Sequence, residues 1–150
     1  MKMAYESMKP GIITLDGFLG SDSRSLMDII VADEAEIARR GLTSAELAQN
    51  MRRIRDEGRK GEGLFEFVQP HFDVLVESVR GVLSCPFPGC GAIKKVNTTV
   101  VNKQTGKTIS FSDLAIHLIE EHSFFQGRGS SFRLDPCELI EILEIKEDPH

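Results

Sequence analysis

Two cysteines and two histidines constrain this 150-residue chain more than any other feature of its sequence. Cys85 and Cys90 flank a segment rich in proline and glycine, which are turn-forming residues. His117 and His122 follow, with four residues between them, in a segment typical of a helix. A tight turn and one helix are two rigid pieces of backbone from which a tetrahedral zinc site can draw its ligands. The spacing therefore predicts one zinc ion bound by all four side chains; the alternative is a surface turn and two helix histidines that never meet.

The ligands and their surroundings resemble the two-Cys/two-His zinc finger over about residues 83–123. Leu114 lies three positions before the first histidine, where that family places a core leucine. The order of a hairpin, a helix and two histidines also agrees. The spacer differs, because 26 residues separate Cys90 from His117, whereas the family has about 12. We therefore expect a finger-like or ribbon-like variant with a longer hairpin. We also expect a loosened last helical turn to aim His122, because five positions rotate by about 500° on an ideal helix.

The same resemblance addresses whether the helix reads DNA. In the family, three helix positions contact base edges, and here they fall on Ser110, Asp113 and Ile116. Arg, Asn and Gln suit base readout, whereas Asp and Ile do so poorly. The resemblance therefore implies a structural zinc without base recognition. A zinc protease is disfavoured as well, because the His117–His122 segment matches no protease signature and four protein ligands leave no position for water.

Hydrophobic periodicity and capping signals predict an α+β fold in a single domain, residues 1–150. The N-terminal part is predicted to be helical. One helix is expected over about 24–39, and a second begins with a capping box between Thr43 and Glu46.

The second part of the chain is predicted to be β-rich. The charged, glycine-containing segment 56–63 is the best internal hinge, and it suggests a subdivision into 1–58 and 64–150. A helix with the two histidines follows the strands, and a C-terminal helix begins after Asp135. The predicted strands are 64–68, 72–79, 94–101 and 107–111, the last two forming a hairpin with a glycine in its turn.

Charge is distributed unevenly along the chain. Residues 80–133 carry 7 Lys/Arg and 3 Asp/Glu, a net charge of +4, between acidic flanks of −4 and −5. A basic middle segment favours an anionic partner; alternatively, the three segments neutralise one another within one fold. The candidate residues for anion or partner binding are Lys94, Lys95, Arg128 and Arg133.

A glycine- and serine-rich segment, residues 123–133, follows the second histidine and admits two interpretations. Its backbone N–H groups could converge on a phosphate while Phe124, Phe125 and Phe132 stack on bases. Alternatively, it is a helix-exit loop whose phenylalanines pack in the core and whose glycines only turn the chain. Short glycine-rich motifs are unspecific, which slightly favours the second interpretation.

These features predict a small zinc-stabilised binding module that contacts a phosphate-bearing partner, such as nucleic-acid backbone, without base readout. A protein–protein adapter or homo-oligomeric regulatory protein is the alternative, and a metal-dependent enzyme is disfavoured. No apolar run approaches the roughly 18 residues of a membrane span, and the N-terminus lacks the apolar region of a secretory signal. We therefore expect a cytoplasmic protein that does not contact membranes. Cys137 and His71 are expected to be packed residues rather than redox or catalytic ones.

Overall fold

The computed structural model describes residues 18–87, 89–130 and 133–146. Within them the chain forms four α-helices, one 3₁₀ helix and one four-stranded sheet, which establishes the α+β class. None of the described helices is both long and apolar enough to cross a lipid bilayer. In chain order the elements are α1 (Leu26–Ala38), α2 (Ser44–Gly58), the 3₁₀ helix (Arg59–Gly61), β1 (Glu66–Val68), β2 (Phe72–Ser84), β3 (Ala92–Asn102), β4 (Thr108–Ser112), α3 (Asp113–His122) and α4 (Pro136–Leu143).

Short polar side chains fix the beginnings of the helices. Thr43 and Glu46 form the predicted capping box: each side chain accepts a hydrogen bond from the other residue's backbone N–H. Asp135 accepts two N–H groups from the first turn of α4. Ser112 caps α3, because its hydroxyl accepts the Ala115 N–H at 3.0 Å. The helix that carries both histidines therefore begins immediately where β4 ends.

All four strands are antiparallel, and their order in the sheet is β1-β2-β3-β4. The predicted β3–β4 hairpin is present, and the side-chain oxygen of Asn102 accepts two backbone N–H groups of its turn. β2 is longer than predicted, because it continues through a bulge between Ser78 and Val82 to end at Ser84. Residues 85–91 then connect β2 to β3, so the cysteine segment is itself the turn of a long hairpin.

The helices α2, α3 and α4 pack against the apolar side chains of the sheet. Alternate strand residues such as Val74 and Val100 are fully buried there, together with Met51 of α2. Apolar side chains from both sides of residues 56–63 thus belong to one cluster. Gly58 lies so close to β2 that an added Cβ would be 2.4 Å from Val74 Cγ1. The end of α2 therefore packs directly on the sheet.

A second, smaller cluster surrounds the cysteine turn. Helix α3 contributes to both clusters: Ile116 and Ile119 belong to the larger one, whereas Leu114 and Leu118 belong to the smaller one. The buried members of the smaller cluster are Phe18, Leu19, Leu26, Ile29, Ile30, Cys85, Phe87, Leu114, Leu118 and Phe124. The two histidines of α3 thus lie on a helix that is enclosed on two sides.

Candidate metal centre

The cysteine turn presents two thiols at the end of the β2–β3 hairpin. The last strand pair is Ser84 with Ala92, and the Cys85 N–H donates to the Gly91 carbonyl at 3.1 Å to close the turn. Gly91 has a φ of 78°, in the left-handed region that glycine adopts without strain. The turn-forming composition of this segment therefore has the predicted structural effect.

The long spacer between the cysteines and the histidines is explained by the sheet. β3 leads away from the turn, and β4 returns only until Ser112 lies opposite Asn97. Asn97 is five positions from Ala92 along β3, which corresponds to about 17 Å. The ten residues of α3 span about 15 Å. The helix therefore spans the distance between the end of β4 and the cysteine turn.

The four predicted ligand side chains lie together. Their ligand atoms are all within 4.8 Å of one another. His122 Nε2 is 3.2 Å from Cys90 Sγ and 3.6 Å from Cys85 Sγ. Ligand atoms around a small tetrahedral ion are separated by about 3.3–3.8 Å, given bonds of about 2.0–2.3 Å. The cluster is therefore compatible with a bound metal ion after only a small contraction.

An unpaired nitrogen supports this compatibility. His117 Nε2 is buried and has no hydrogen-bond partner among the described residues. A buried polar atom without a partner is destabilising by about 1–3 kcal/mol. A metal ion would give this nitrogen the electron-pair acceptor that the described protein atoms do not supply.

The last turn of α3 is wider than an ordinary helical turn. The Ser123 N–H is directed at both the Ile119 and Leu118 carbonyls, and the Phe124 N–H donates to the Leu118 carbonyl at 3.1 Å. Ser123 is left-handed, with a φ of 52°. The bond to Ile119 reaches four residues back, as in a regular helix, whereas those to Leu118 reach five and six. The widening thus lies at the C-terminal cap of α3, immediately after His122, and His117 and His122 themselves belong to the helix.

Aromatic residues support the site from one side, and sequence reasoning did not identify them as part of it. The Phe87 ring stacks on His122, with centroids 3.8 Å apart and an interplanar angle of 12°. Phe124 meets the edge of Phe87 at 5.9 Å and is fully buried. The only sequence signal for Phe87 is its position inside the cysteine turn. Its stacking restricts the orientation of the His122 ring.

Burial shifts the pKa values of two of the ligands. Together with a smaller contribution from the neighbouring Cys90, it raises the pKa of the Cys85 thiol to about 11. Burial also lowers the pKa of His122, as does the nearby His117. The imidazole is therefore held in the neutral form that ligates metals, whereas the Cys85 thiol must lose its proton on metal binding.

Ion pairs hold α3 against α2 and occupy positions that a DNA-reading finger would need. Arg52 donates two hydrogen bonds of 2.7 Å to the Glu120 carboxylate. Asp113 is 3.2 Å from Arg55. Ile116 is only 1% exposed, and Ser110 lies on β4 rather than on the helix. The three positions that contact bases in zinc fingers are therefore not presented together on an exposed helix face.

The residues predicted to bind anions lie in different environments. Arg133 pairs through two hydrogen bonds of 2.9 Å with Asp33, whose side chain is 7% exposed, and it also donates to the Gln126 carbonyl. The structure thus uses Arg133 for an internal ion pair. Arg128 and Lys94 are exposed, and the half-buried Lys95 lies near the bulge in β2.

Most of the glycine-rich loop is hydrogen-bonded through its backbone to an early segment of the chain, residues 18–22. The Gly127 N–H donates to the Phe18 carbonyl at 2.7 Å, and the Ser21 N–H donates to the Arg128 carbonyl at 3.0 Å. The Arg128 N–H donates to the Asp22 carboxylate at 3.1 Å. A carboxylate of the chain itself therefore accepts this N–H in place of a phosphate. We refer to residues 18–22 and 127–130, joined by these bonds, as the clasp.

The aromatic residues of this loop do not offer a stacking surface. Phe124 and Phe125 are 0% and 2% exposed, so they pack in the core as the second interpretation predicts. Phe132 lies outside the described residues. The loop is therefore held by the packing of Phe124 and Phe125 in the core and by the backbone hydrogen bonds of its glycine segment.

Two other residues singled out from the sequence have packed or paired positions. His71 Nε2 is 2.6 Å from the Glu144 carboxylate, to which Asn102 also donates a hydrogen bond of 2.9 Å. Cys137 lies in the first turn of α4, and its thiol donates to Glu36 at 3.7 Å. These contacts tie the end of α4 to the sheet and the beginning of α4 to α1.

The fold and the site define an α+β protein with a two-Cys/two-His cluster that fits a metal ion. No protein-family model, curated protein or solved structure matches the chain. The resemblance to zinc fingers is therefore supported by the ligand cluster itself and by no family match.

Proposed function

We propose that Cys85, Cys90, His117 and His122 bind one structural zinc ion. Two thiolates and two imidazoles are a ligand set that suits tetrahedral zinc, and four protein ligands leave no open position for catalysis. The single observation that carries the proposal is the convergence of all four ligand atoms within 4.8 Å. The zinc would join the cysteine turn to α3.

Metal analysis of the purified chain tests this first step. We expect one zinc per chain, and loss of both the zinc and thermal stability in a Cys90→Ser variant. Cys137→Ser is the matched control, because it removes a thiol that lies outside the cluster. A metal-free native chain that melts at the same temperature as Cys90→Ser would refute the zinc site.

We further propose that the zinc-stabilised chain is a cytoplasmic binding module for a phosphate-bearing partner, and that nucleic-acid backbone is this partner. The supporting surface is the outer half of the β2–β3 hairpin, residues 78–96, which we call the arm. The arm contains Arg80, Lys94 and Lys95 and no acidic residue. None of these cations has an ion-pair partner among the described residues, although most arginines elsewhere are paired.

The overall charge of −5 does not prevent this interaction. Charges separated by more than about 8 Å are largely screened at physiological salt, so a phosphate on the arm responds mainly to the arm. Contacts with backbone phosphates carry no sequence information. The expected binding is therefore weak, salt-dependent and independent of base sequence.

Anisotropy of a short labelled oligonucleotide, measured between about 50 and 200 mM KCl, tests this second step. Three phosphate contacts predict a slope of log affinity against log salt of about −2.7 for a duplex and about −2.1 for a single strand. The double substitution of Lys94 and Lys95 by Gln should reduce the slope to the value expected for about one phosphate contact. The same change at Lys103 and Lys107, at the opposite end of β3, should leave it unaltered. No binding at the lowest salt, or equal effects of both double variants, would refute the proposal.

A further inference from the structure

The edge strand β1 and the two residues that precede it expose a concentration of apolar side chains. Leu64 is 73% exposed, and Phe65 and Phe67 are each 54% exposed. β1 lies at one end of the sheet order, and no described strand pairs with its outer side. Soluble proteins usually protect such edges with charge, proline or a covering element. Exposed phenylalanines beside an open edge instead have the composition of a protein interface.

A cleft lined by one cationic and one anionic side chain adjoins the same strand. It has a volume of about 440 Å³ and is lined by Arg53 and Glu57 of α2 and by Phe67, Val68 and Gln69. The Glu57 carboxylate is already paired with Lys60 at 2.9 Å. Arg53 is exposed and has no ion-pair partner among the described residues. The cleft therefore retains one uncompensated positive charge next to an apolar strand.

We propose that the outer edge of β1 binds an extended segment of a partner protein as an additional strand. Successive side chains of a strand point to opposite faces. Phe67 is exposed on the face of β1 opposite Val68, which belongs to the buried cluster beneath α2, and the exposed Phe65 immediately precedes the strand. The added segment would place apolar residues against the two phenylalanines and an acidic residue towards Arg53. Its sequence would thus alternate apolar and acidic residues, a mode of recognition known as β-augmentation.

The size of the patch favours a peptide segment over a second copy of this chain. Three side chains of about 200 Å² each, exposed to the fractions above, offer roughly 350 Å². Stable protein–protein interfaces bury about 800 Å² on each partner. The patch alone is therefore too small for a symmetric dimer, whereas main-chain hydrogen bonds supplement it when a strand is added.

A phage library of random heptapeptides, selected on the full chain, tests the proposal. We expect enrichment of sequences in which apolar and acidic residues alternate. A selected peptide, labelled and measured by anisotropy, should bind Phe67→Ser at least about tenfold more weakly, as expected for an aromatic anchor. Arg53→Gln should weaken it as well, and replacement of the peptide's acid by its amide should remove the effect of Arg53→Gln.

Controls separate this site from the arm and from misfolding. Phe67 is exposed, so Phe67→Ser should melt within a few degrees of the wild type. Val82→Ser, at a side chain of similar exposure on the arm, should bind the peptide normally. Peptide binding should also slow hydrogen exchange of the outward-facing β1 amides.

Three results would overturn the inference. They are the absence of enriched peptides, enrichment that is indifferent to Phe67→Ser, and a stable dimer in light scattering that Phe67→Ser abolishes. The last result would identify a second copy as the occupant. Loss of oligonucleotide binding by the arm variants does not bear on this site, because neither Lys94 nor Lys95 lines it.

Discussion

Replacing Gly127 by alanine tests whether the clasp is a structural element. An added Cβ at Gly127 would lie 2.2 Å from the Leu19 carbonyl oxygen, which is far inside van der Waals contact. The two backbones must therefore separate. Because Gly127 does not have a positive φ, alanine there meets no conformational penalty of its own. The substitution thus isolates the cost of separating the two segments.

The expected magnitude follows from the bonds that the separation breaks. Three backbone N–H donors lose their partners, those of Ser21, Gly127 and Arg128. At about 1 kcal/mol for each bond, the free energy of unfolding falls by about 3 kcal/mol. For a chain of this size the melting temperature should fall by about 6–12 °C. Urea denaturation and thermal melting, followed by circular dichroism, measure both quantities.

Gly63→Ala provides the contrasting control. Gly63 has a φ of 88° and nothing within 4 Å of an added Cβ, so alanine there meets only backbone strain. That strain amounts to about 1 kcal/mol. A loss of stability in Gly127→Ala no larger than in Gly63→Ala would show that the clasp contributes little and would refute this reasoning.

Three further substitutions test contacts that the structure reveals. Phe87→Ala removes the ring stacked on His122 and should weaken zinc binding about tenfold in chelator competition, with the stoichiometry unchanged; unaltered affinity would contradict a supporting role. Arg133→Ala leaves the Asp33 carboxylate buried without its partner and should reduce stability by about 3–5 kcal/mol in urea denaturation; a loss below about 1 kcal/mol would contradict it. Hydrogen bonds from Asn102 and then His71 hold the pKa of Glu144 below its ordinary value of 4.5. The stabilisation from this carboxylate is therefore complete above that pH and lost as pH falls below it, so Glu144→Gln and wild type should converge in stability on acidification; a difference independent of pH would exclude this origin.

The local features of the molecule could be predicted from the sequence because their signals are local. The capping box of Thr43 and Glu46 spans four residues and forms as predicted. The ligand pairs Cys85/Cys90 and His117/His122 are each recognisable from their spacing. The turn composition of the segment between them indicates a hairpin, which reverses the direction of the chain between the two pairs. The convergence of the two pairs follows from these local elements.

The long-range pairings left no comparable signal. Arg133 and Asp33 are 100 residues apart in the chain, and Arg52 and Glu120 are 68 apart. Nothing in the sequence around Arg133 distinguishes it from Arg128, yet one is internal and the other exposed. Charge counting along a segment therefore cannot tell which of its cations are internal and which are exposed.

The glycine-rich loop illustrates the same limit in backbone terms. Gly127 lies against the backbone of Leu19, more than a hundred residues earlier. A glycine-rich motif indicates only that a ligand or another segment of backbone can approach the chain closely at that point. Whether a phosphate or another segment of the chain approaches depends on tertiary structure, and here it is the chain itself.

The double role of α3 has a consequence for how the chain responds to metal loss. Leu114 and Leu118 face the ligand end, while Ile116 and Ile119 remain packed between α2 and the sheet. Chelation would release the cysteine turn and the small cluster while the larger cluster keeps the helix in place. The molecule would then occupy a partially unfolded state, with a native sheet and a frayed metal end. Denaturation of the metal-free chain should consequently proceed through two separate transitions, and hydrogen exchange would report the smaller cluster as an independent unfolding unit.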